Sequence, residues 1–198
     1  MSEIPVHLRN PDTYKAEVFD HPGFIAEMCK WWKPKVFLEY GLSSCPTTSR
    51  IYPHCEKVIG VDMKYHPNMA KIPNLEFYEM KTSDFKAILD QMKTKVDIAF
   101  IDACHKSEVA FKDFKDVFPH VIEDGLIFLH DTYPMSAKYT DPVFCDDCWK
   151  LPHLIQQFYG DKCEVLTIPV QPGLTMVRKT TKNLSWMNPE TIDWSKYE

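Results

Sequence analysis

Glycine is scarce in this chain, with six among 198 residues, while prolines number fifteen. A dinucleotide fingerprint, G-x-G-x-x-G, is therefore absent, and the balance favours stiff loops. No stretch of 18 apolar residues occurs, which excludes an apolar membrane-spanning helix. The polar start Met1–Asn10 lacks a signal-peptide core, so a cytoplasmic protein is expected. Basic runs with interleaved aromatics are missing too, and the net charge is −5, so nucleic acid is not an expected partner. Neither an internal repeat nor a low-complexity segment is present. The seven cysteines, an odd number, fit a reducing compartment better than a disulfide framework.

What remains is ordinary for a globular protein, with 44% apolar and 26% charged residues. One domain over 1–198 is expected, divided into an N-terminal cap or helix (1–34), a core (35–179) and a tail (180–198). Phe24, Ile25, Met28, Cys29 and Trp32 recur at helical spacing and predict a helix over His21–Trp32, stopped by Pro34. Strands are predicted at Val36–Glu39, Val58–Asp62 and Leu75–Tyr78. Ser83 reads as the N-cap of a helix carrying Phe85, Ile88, Leu89 and Met92. Two apolar runs, Ile98–Asp102 and Leu126–Asp131, suit strands buried on both faces of a parallel sheet. Between them an amphipathic helix is expected to run from Val109 to Ile122, with Gly125 in the loop that ends it. Thr132–Cys148 reads as a long loop and Trp149–Tyr159 as a helix. Cys163–Ile168 and Leu174–Arg178, joined by Pro169–Gly173, read as an antiparallel hairpin. The layout is α/β: Rossmann-like, mostly parallel, with helices on both faces and a terminal hairpin.

The chemistry-bearing residues cluster at strand ends. Asp102, His105, His130 and Asp131 fall outside the carboxyl ends of two neighbouring apolar strands, where open α/β sheets bind ligands. Two carboxylates and two imidazoles there need a chemical reason, because unpaired charge is costly to bury. The first strand ends Glu39-Tyr-Gly41-Leu-Ser43-Ser44, and a glycine after an acid permits a tight turn against a ligand. Asp62 ends the second strand, where an acid can grip ribose hydroxyls. Plainer readings stand beside these. Asp102 could cap a helix, His105 could sit on the surface of a first helical turn, and His130 could be a hydrogen-bonded pocket histidine. Cys145-Asp-Asp-Cys148 with His153 has the spacing of half a zinc site, though free thiols in a loop are the favoured reading. Tyr133, Tyr139, Phe144 and Trp149 read as lid or core aromatics, and Lys112-Asp113 and Lys115-Asp116 as a solvated helix face.

Over Val36–Thr48, Val58–Asp62, Asn74–Phe85 and Val96–Asp131 the chain resembles class I S-adenosylmethionine-dependent methyltransferases. Within them it is similar to the small-molecule O-methyltransferases that include the macrocin and mycinamicin enzymes and the cephalosporin hydroxylase-like proteins. The strongest match is Phe100-Ile-Asp102-x-x-His105 followed by an acidic helix and Gly125-Leu-Ile-Phe-Leu-His-Asp131. This resemblance implies a seven-stranded sheet with an antiparallel last strand. It also implies S-adenosylmethionine held by Glu39, Gly41 and Ser44 along its methionine and ribose, Asp62 on the ribose hydroxyls, and Ser83 near the adenine. A divalent metal, Mg²⁺ or Mn²⁺, would be held by Asp102, His130 and Asp131, with His105 and Asp102 as the catalytic pair. The family usually has an acid before the second aspartate; here it is His130, which tilts the set toward Mn²⁺, Fe²⁺ or Zn²⁺. The expected partner is a small hydroxylated acceptor of sugar or polyol type, with no membrane, and the aromatics near both ends permit a homodimer. Two rivals are a nicotinamide-dependent oxidoreductase, disfavoured by the single-glycine loop, and a catalytically silent cofactor-binding module. A zinc-dependent hydrolase is weaker still.

Overall fold

Alternating burial along each strand decides the layering. In the computed structural model, which describes residues 19–180 and 195, strand β1 (Val36–Tyr40) is buried on both faces. Val36, Leu38 and Tyr40 face one side; Phe37 faces the other. The first side is covered by α3 (Thr82–Gln91), α4 (Ser107–Val117) and α5 (Leu151–Tyr159), through Phe85, Leu89, Phe114, Val117, Leu151 and Ile155. The second is covered by α1 (His21–Trp32) and the short α2 (Thr48–Ile51), through Ile25, Cys29 and Ile51. A period of two therefore hands successive residues to two separate cores, which is why these strands read as continuous apolar runs.

Seven strands form one sheet in the order β3-β2-β1-β4-β5-β7-β6. Besides β1 they are β2 (Lys57–Asp62), β3 (Leu75–Glu79), β4 (Val96–Ile101), β5 (Val121–His130), β6 (Cys163–Ile168) and β7 (Leu174–Lys179). The first five are mutually parallel, and β7 runs antiparallel to both β5 and β6. Strand order reverses between β1 and β4, so their carboxyl ends flank the crevice where such sheets bind ligands. This is the expected seven-stranded sheet with its antiparallel hairpin.

Three local expectations are corrected. Helix α4 stops at Val117, and Val121 and Ile122 already belong to β5, so Gly125 lies inside a strand rather than in a helix-ending loop. Pro119 breaks the helical pattern there, in a 3-10 turn over Phe118–His120. Ser83 is not an N-cap: α3 begins at Thr82 after Lys81, and the Ser83 hydroxyl donates to Asp84. Asp113 and Asp116 are buried rather than solvated, because they share the inward face of α4 with Ala110, Phe114 and Val117. Thr82 donates to Asp113 at 3.0 Å, and burial pushes that carboxyl up to about 6. The expected tail beyond Thr180 and the polar start Met1–Asn10 fall outside the described residues, Ser195 excepted. Among the described residues no helix is long and apolar enough to cross a membrane.

Candidate active site at the strand ends

One cleft of about 1270 Å³ runs along the carboxyl ends of β1, β2, β4 and β5. Its lining includes Glu39, Gly41, Ser44, Asp62, Ser83, Asp102, His105, His130 and Asp131. The cleft has two halves of different construction.

In the first half the loop after β1 turns sharply. Gly41 sits at φ 85°, and a Cβ there would lie 2.3 Å from the backbone oxygen of Asp102, so only glycine fits. Ser43 (φ 48°) and Cys45 (φ 68°) also take left-handed backbone, at alternate positions where further glycines would have been unstrained. The Asp62 carboxylate holds this shape: one oxygen accepts from the N–H groups of Leu42 (2.8 Å) and Ser43 (2.9 Å), the other from Lys64 (3.2 Å). The acid expected at the ribose hydroxyls is thus the brace of the loop after β1. Glu39, next in the β1 alternation after Phe37, turns toward α2 and accepts from the Thr48 hydroxyl at 2.5 Å. Burial raises its carboxyl to about 8, with Asp102 and Asp62 adding to the rise and Thr48 opposing it.

In the second half, register does the placing. Phe100 and Phe128 are paired across β4 and β5 and face α1. Two residues further along each strand, Asp102 and His130 emerge on the same face as neighbours, Oδ1 to Nδ1 at 3.0 Å. Asp131 then departs from strand geometry at φ 59°, which brings its Oδ2 to 3.3 Å from His130 Nδ1 and 3.1 Å from His105 Nε2. Burial opposes charging His130, yet the carboxylates of Asp102 and Asp131 outweigh it and raise the imidazole to about 10. Asp131, although buried, is held below the usual carboxylate range by the same partnership.

A residue that sequence reasoning passed over completes this half. His21, at the first position of α1, places Nδ1 3.1 Å from His130 Nε2, with the two ring centroids 4.0 Å apart. Burial and the facing His130 depress it to about 3. Helical periodicity identifies the inward face of α1 but not the strand end over which the helix begins; a histidine on that face was the one available signal.

The plainer readings resolve differently. Asp102 does not cap α4; the Asp147 carboxylate, reaching in from the loop after β5, accepts from Ser107 N–H. His105 lies ahead of α4 rather than in its first turn. His130 is a hydrogen-bonded pocket histidine, engaged at both ring nitrogens. Cys145, Cys148 and His153 form no ligand group: Cys145 Sγ lies 3.5 Å from Asp131, Cys148 donates to the His105 carbonyl, and His153 lines a separate groove. Burial raises the Cys145 thiol to about 12. Among the described residues two groups could hold a metal ion, His21–Asp102–His130 and Asp102–His105–Asp131, sharing Asp102. Imidazole and carboxylate donors converging at one end of the cleft fit a divalent ion.

Residues 38–132 match the family model of a methyltransferase domain, a span from β1 to just past Asp131. No curated protein matches the chain. Among solved structures the chain is similar to the O-methyltransferase TomG from Streptomyces achromogenes, involved in tomaymycin synthesis and solved with SAM. The two are 11% identical over 81% of this chain and 79% of that one, with a TM-score of 0.65. It is also similar to SAH-bound methyltransferase PaMTH1 from Podospora anserina, 18% identical over 90% and 89% of the chains, TM-score 0.60. An O-methyltransferase from Bacillus cereus in complex with SAH is 14% identical over 89% and 84%, TM-score 0.63. At such identities these likenesses speak for the fold. The family match, lying on the strands whose ends build the cleft, falls on methyl transfer rather than on the rival nicotinamide chemistry: residues 38–132 are similar to a methyltransferase domain.

Proposed function

We propose that the protein is a divalent-metal-assisted O-methyltransferase acting on a small hydroxylated metabolite of sugar or polyol type. The observation that carries this reading is the continuity of the cleft, from the braced loop at Gly41 and Asp62 to the imidazole–carboxylate cluster at Asp102, His105, His130 and Asp131. S-adenosylmethionine would lie along the first half, with Glu39, Gly41 and Ser44 beside its methionine and ribose, Asp62 at the ribose hydroxyls and Ser83 near the adenine. An acceptor hydroxyl would enter beside the second half, under Tyr139 and Phe144, whose rings pack edge to face at 5.4 Å over the cleft.

Methyl transfer from a sulfonium to oxygen is chiefly a matter of alignment and of removing the hydroxyl proton. A divalent ion bound at Asp102, His130 and Asp131 would supply Lewis acidity that lowers the pKa of a hydroxyl beside it. His105 is the base. Asp131 accepts at Nε2 and so fixes the ring, which leaves Nδ1 as the nitrogen that receives the proton. The half-exposed imidazole, 35% accessible, can pass that proton to water. The TomG and Bacillus cereus O-methyltransferases, similar in fold, support oxygen as the accepting atom.

The reading is tested by calorimetric titration with S-adenosylhomocysteine, with and without Mn²⁺ or Mg²⁺. Micromolar binding is expected, followed by methyl transfer to hydroxylated acceptors. Absence of binding under both conditions would overturn it.

A further inference from the structure

The start of α1 is anchored more firmly than a covering helix needs. Asp20 caps it, accepting from Gly23 N–H at 3.2 Å, and pairs with Arg50 of α2 at 2.7 Å. One residue earlier, Phe19 N–H donates to the carbonyl of Gln171 in the β6–β7 turn. These three ties, to the helix itself, to α2 and to the hairpin, fix the position of the residue between them, His21. Its ring lies over Phe100, 5.8 Å between centroids, and is turned 47° from the ring of His130.

The pairing at the end of this anchored arm has a specific geometry. Nδ1 of His21 and Nε2 of His130 lie 3.1 Å apart. Two nitrogen donors on one ion, each about 2.1 Å from it and about 95° apart, have that separation. Asp102 stands beside the pair, and the three side chains offer ligand atoms within 4.8 Å of one another. Two half-buried imidazoles and one carboxylate form a donor set poorly matched to Mg²⁺, which prefers oxygen and retains its waters, and well matched to later first-row ions.

We propose that His21 is a metal ligand, and that with His130 and Asp102 it makes the cluster a site for a late first-row divalent ion such as Zn²⁺, Fe²⁺ or Co²⁺ rather than Mg²⁺. This rests on the reading that the cluster holds an ion at all, and it adds both the ligand from the N-terminal helix and the class of ion. The alternative is that His21 merely accepts a hydrogen bond from His130.

The two are separated with the full-length protein stripped of metal. Zn²⁺ and Mg²⁺ are titrated calorimetrically, and Cu²⁺ is used as a spectroscopic probe by electron paramagnetic resonance. The proposal expects one Zn²⁺ per chain, bound at least roughly 100-fold more tightly than Mg²⁺. Copper should show splitting from two imidazole nitrogens, a readout that needs no variant. In His21→Asn, Zn²⁺ affinity should fall by roughly 100-fold or more, since losing even an outer partner of a ligand costs about 10–100-fold. S-adenosylhomocysteine affinity in that variant should stay unchanged, which also reports an intact fold. Equal binding of Mg²⁺ and Zn²⁺, splitting from a single nitrogen, or undiminished Zn²⁺ affinity in a folded His21→Asn would each overturn the proposal. Failure of all ions with S-adenosylhomocysteine still bound would overturn it and leave methyl transfer standing. Zn²⁺ binding that depends on His21, without any S-adenosylhomocysteine binding, would uphold the site and overturn the methyltransferase reading.

Discussion

The two halves of the cleft are stabilised by opposite means. Around β1 and β2 the protein satisfies backbone with side chain: Asp62 holds the N–H groups of a loop bent through Gly41, Ser43 and Cys45. Around β4 and β5 it satisfies side chain with side chain, through His21, Asp102, His105, His130 and Asp131. The first half is a rigid cradle whose charges are already committed. The second is a set of donors and acceptors that hold one another only until something better arrives, which is the state expected of a site that takes an ion or gives up a proton.

Perturbing each half separately should break the contrast in different observables. The largest effect is expected for Asp131→Asn, which removes a carboxylate shared by His105 and His130. Methyl transfer should fall by roughly 100-fold or more, while S-adenosylhomocysteine binding measured calorimetrically stays within about threefold. Next comes Asp62→Ala. Losing a charge-assisted brace on two loop N–H groups should weaken S-adenosylhomocysteine by about 10–100-fold, with metal binding unaltered.

Glu39 sharpens the comparison through pH. Its folded-state carboxyl is raised from 4.5 to about 8, so between those values the folded chain holds a proton that the unfolded chain has released. Stability should therefore fall as pH rises across this window, by at most about 1.4 kcal/mol per pH unit. Glu39→Gln should flatten that slope in urea melts; an unchanged slope would mean that Glu39 is ionised in the fold. The smallest effect belongs to Ser43→Gly. Relief of the left-handed backbone (φ 48°), partly offset by a looser unfolded chain, should raise the melting temperature by about 1–3 °C.

The strands, the closing hairpin and the site's strand ends were legible because each rests on a local signal. Apolar runs reveal strands, and Asp62, Asp102 and Asp131 stand where those runs end. What escaped was set by tertiary placement. Asp113 and Asp116 look like a solvated face until α3 is known to lie over them. Helical periodicity carried past Val117 into a strand because apolar residues at Val121 and Ile122 fit both patterns. His21 was missed because the site gathers a residue 81 positions before Asp102, across a helix whose direction over the sheet no period encodes. Capping of α4 by Asp147 is equally non-local: it joins a loop residue to a helix start 40 positions away.

Gly41 binds the two halves into a single heritable unit. Its α-carbon rests against the backbone of Asp102 with no room for one further carbon atom. Any side chain admitted there would move the loop after β1 and Asp102 of the imidazole–carboxylate cluster together. Variation at that point cannot improve one half without disturbing the other. A lineage that reshaped this cleft would have to do so at its far margins, in the loop after β5 or at the start of α1, while the hinge between the halves stayed fixed.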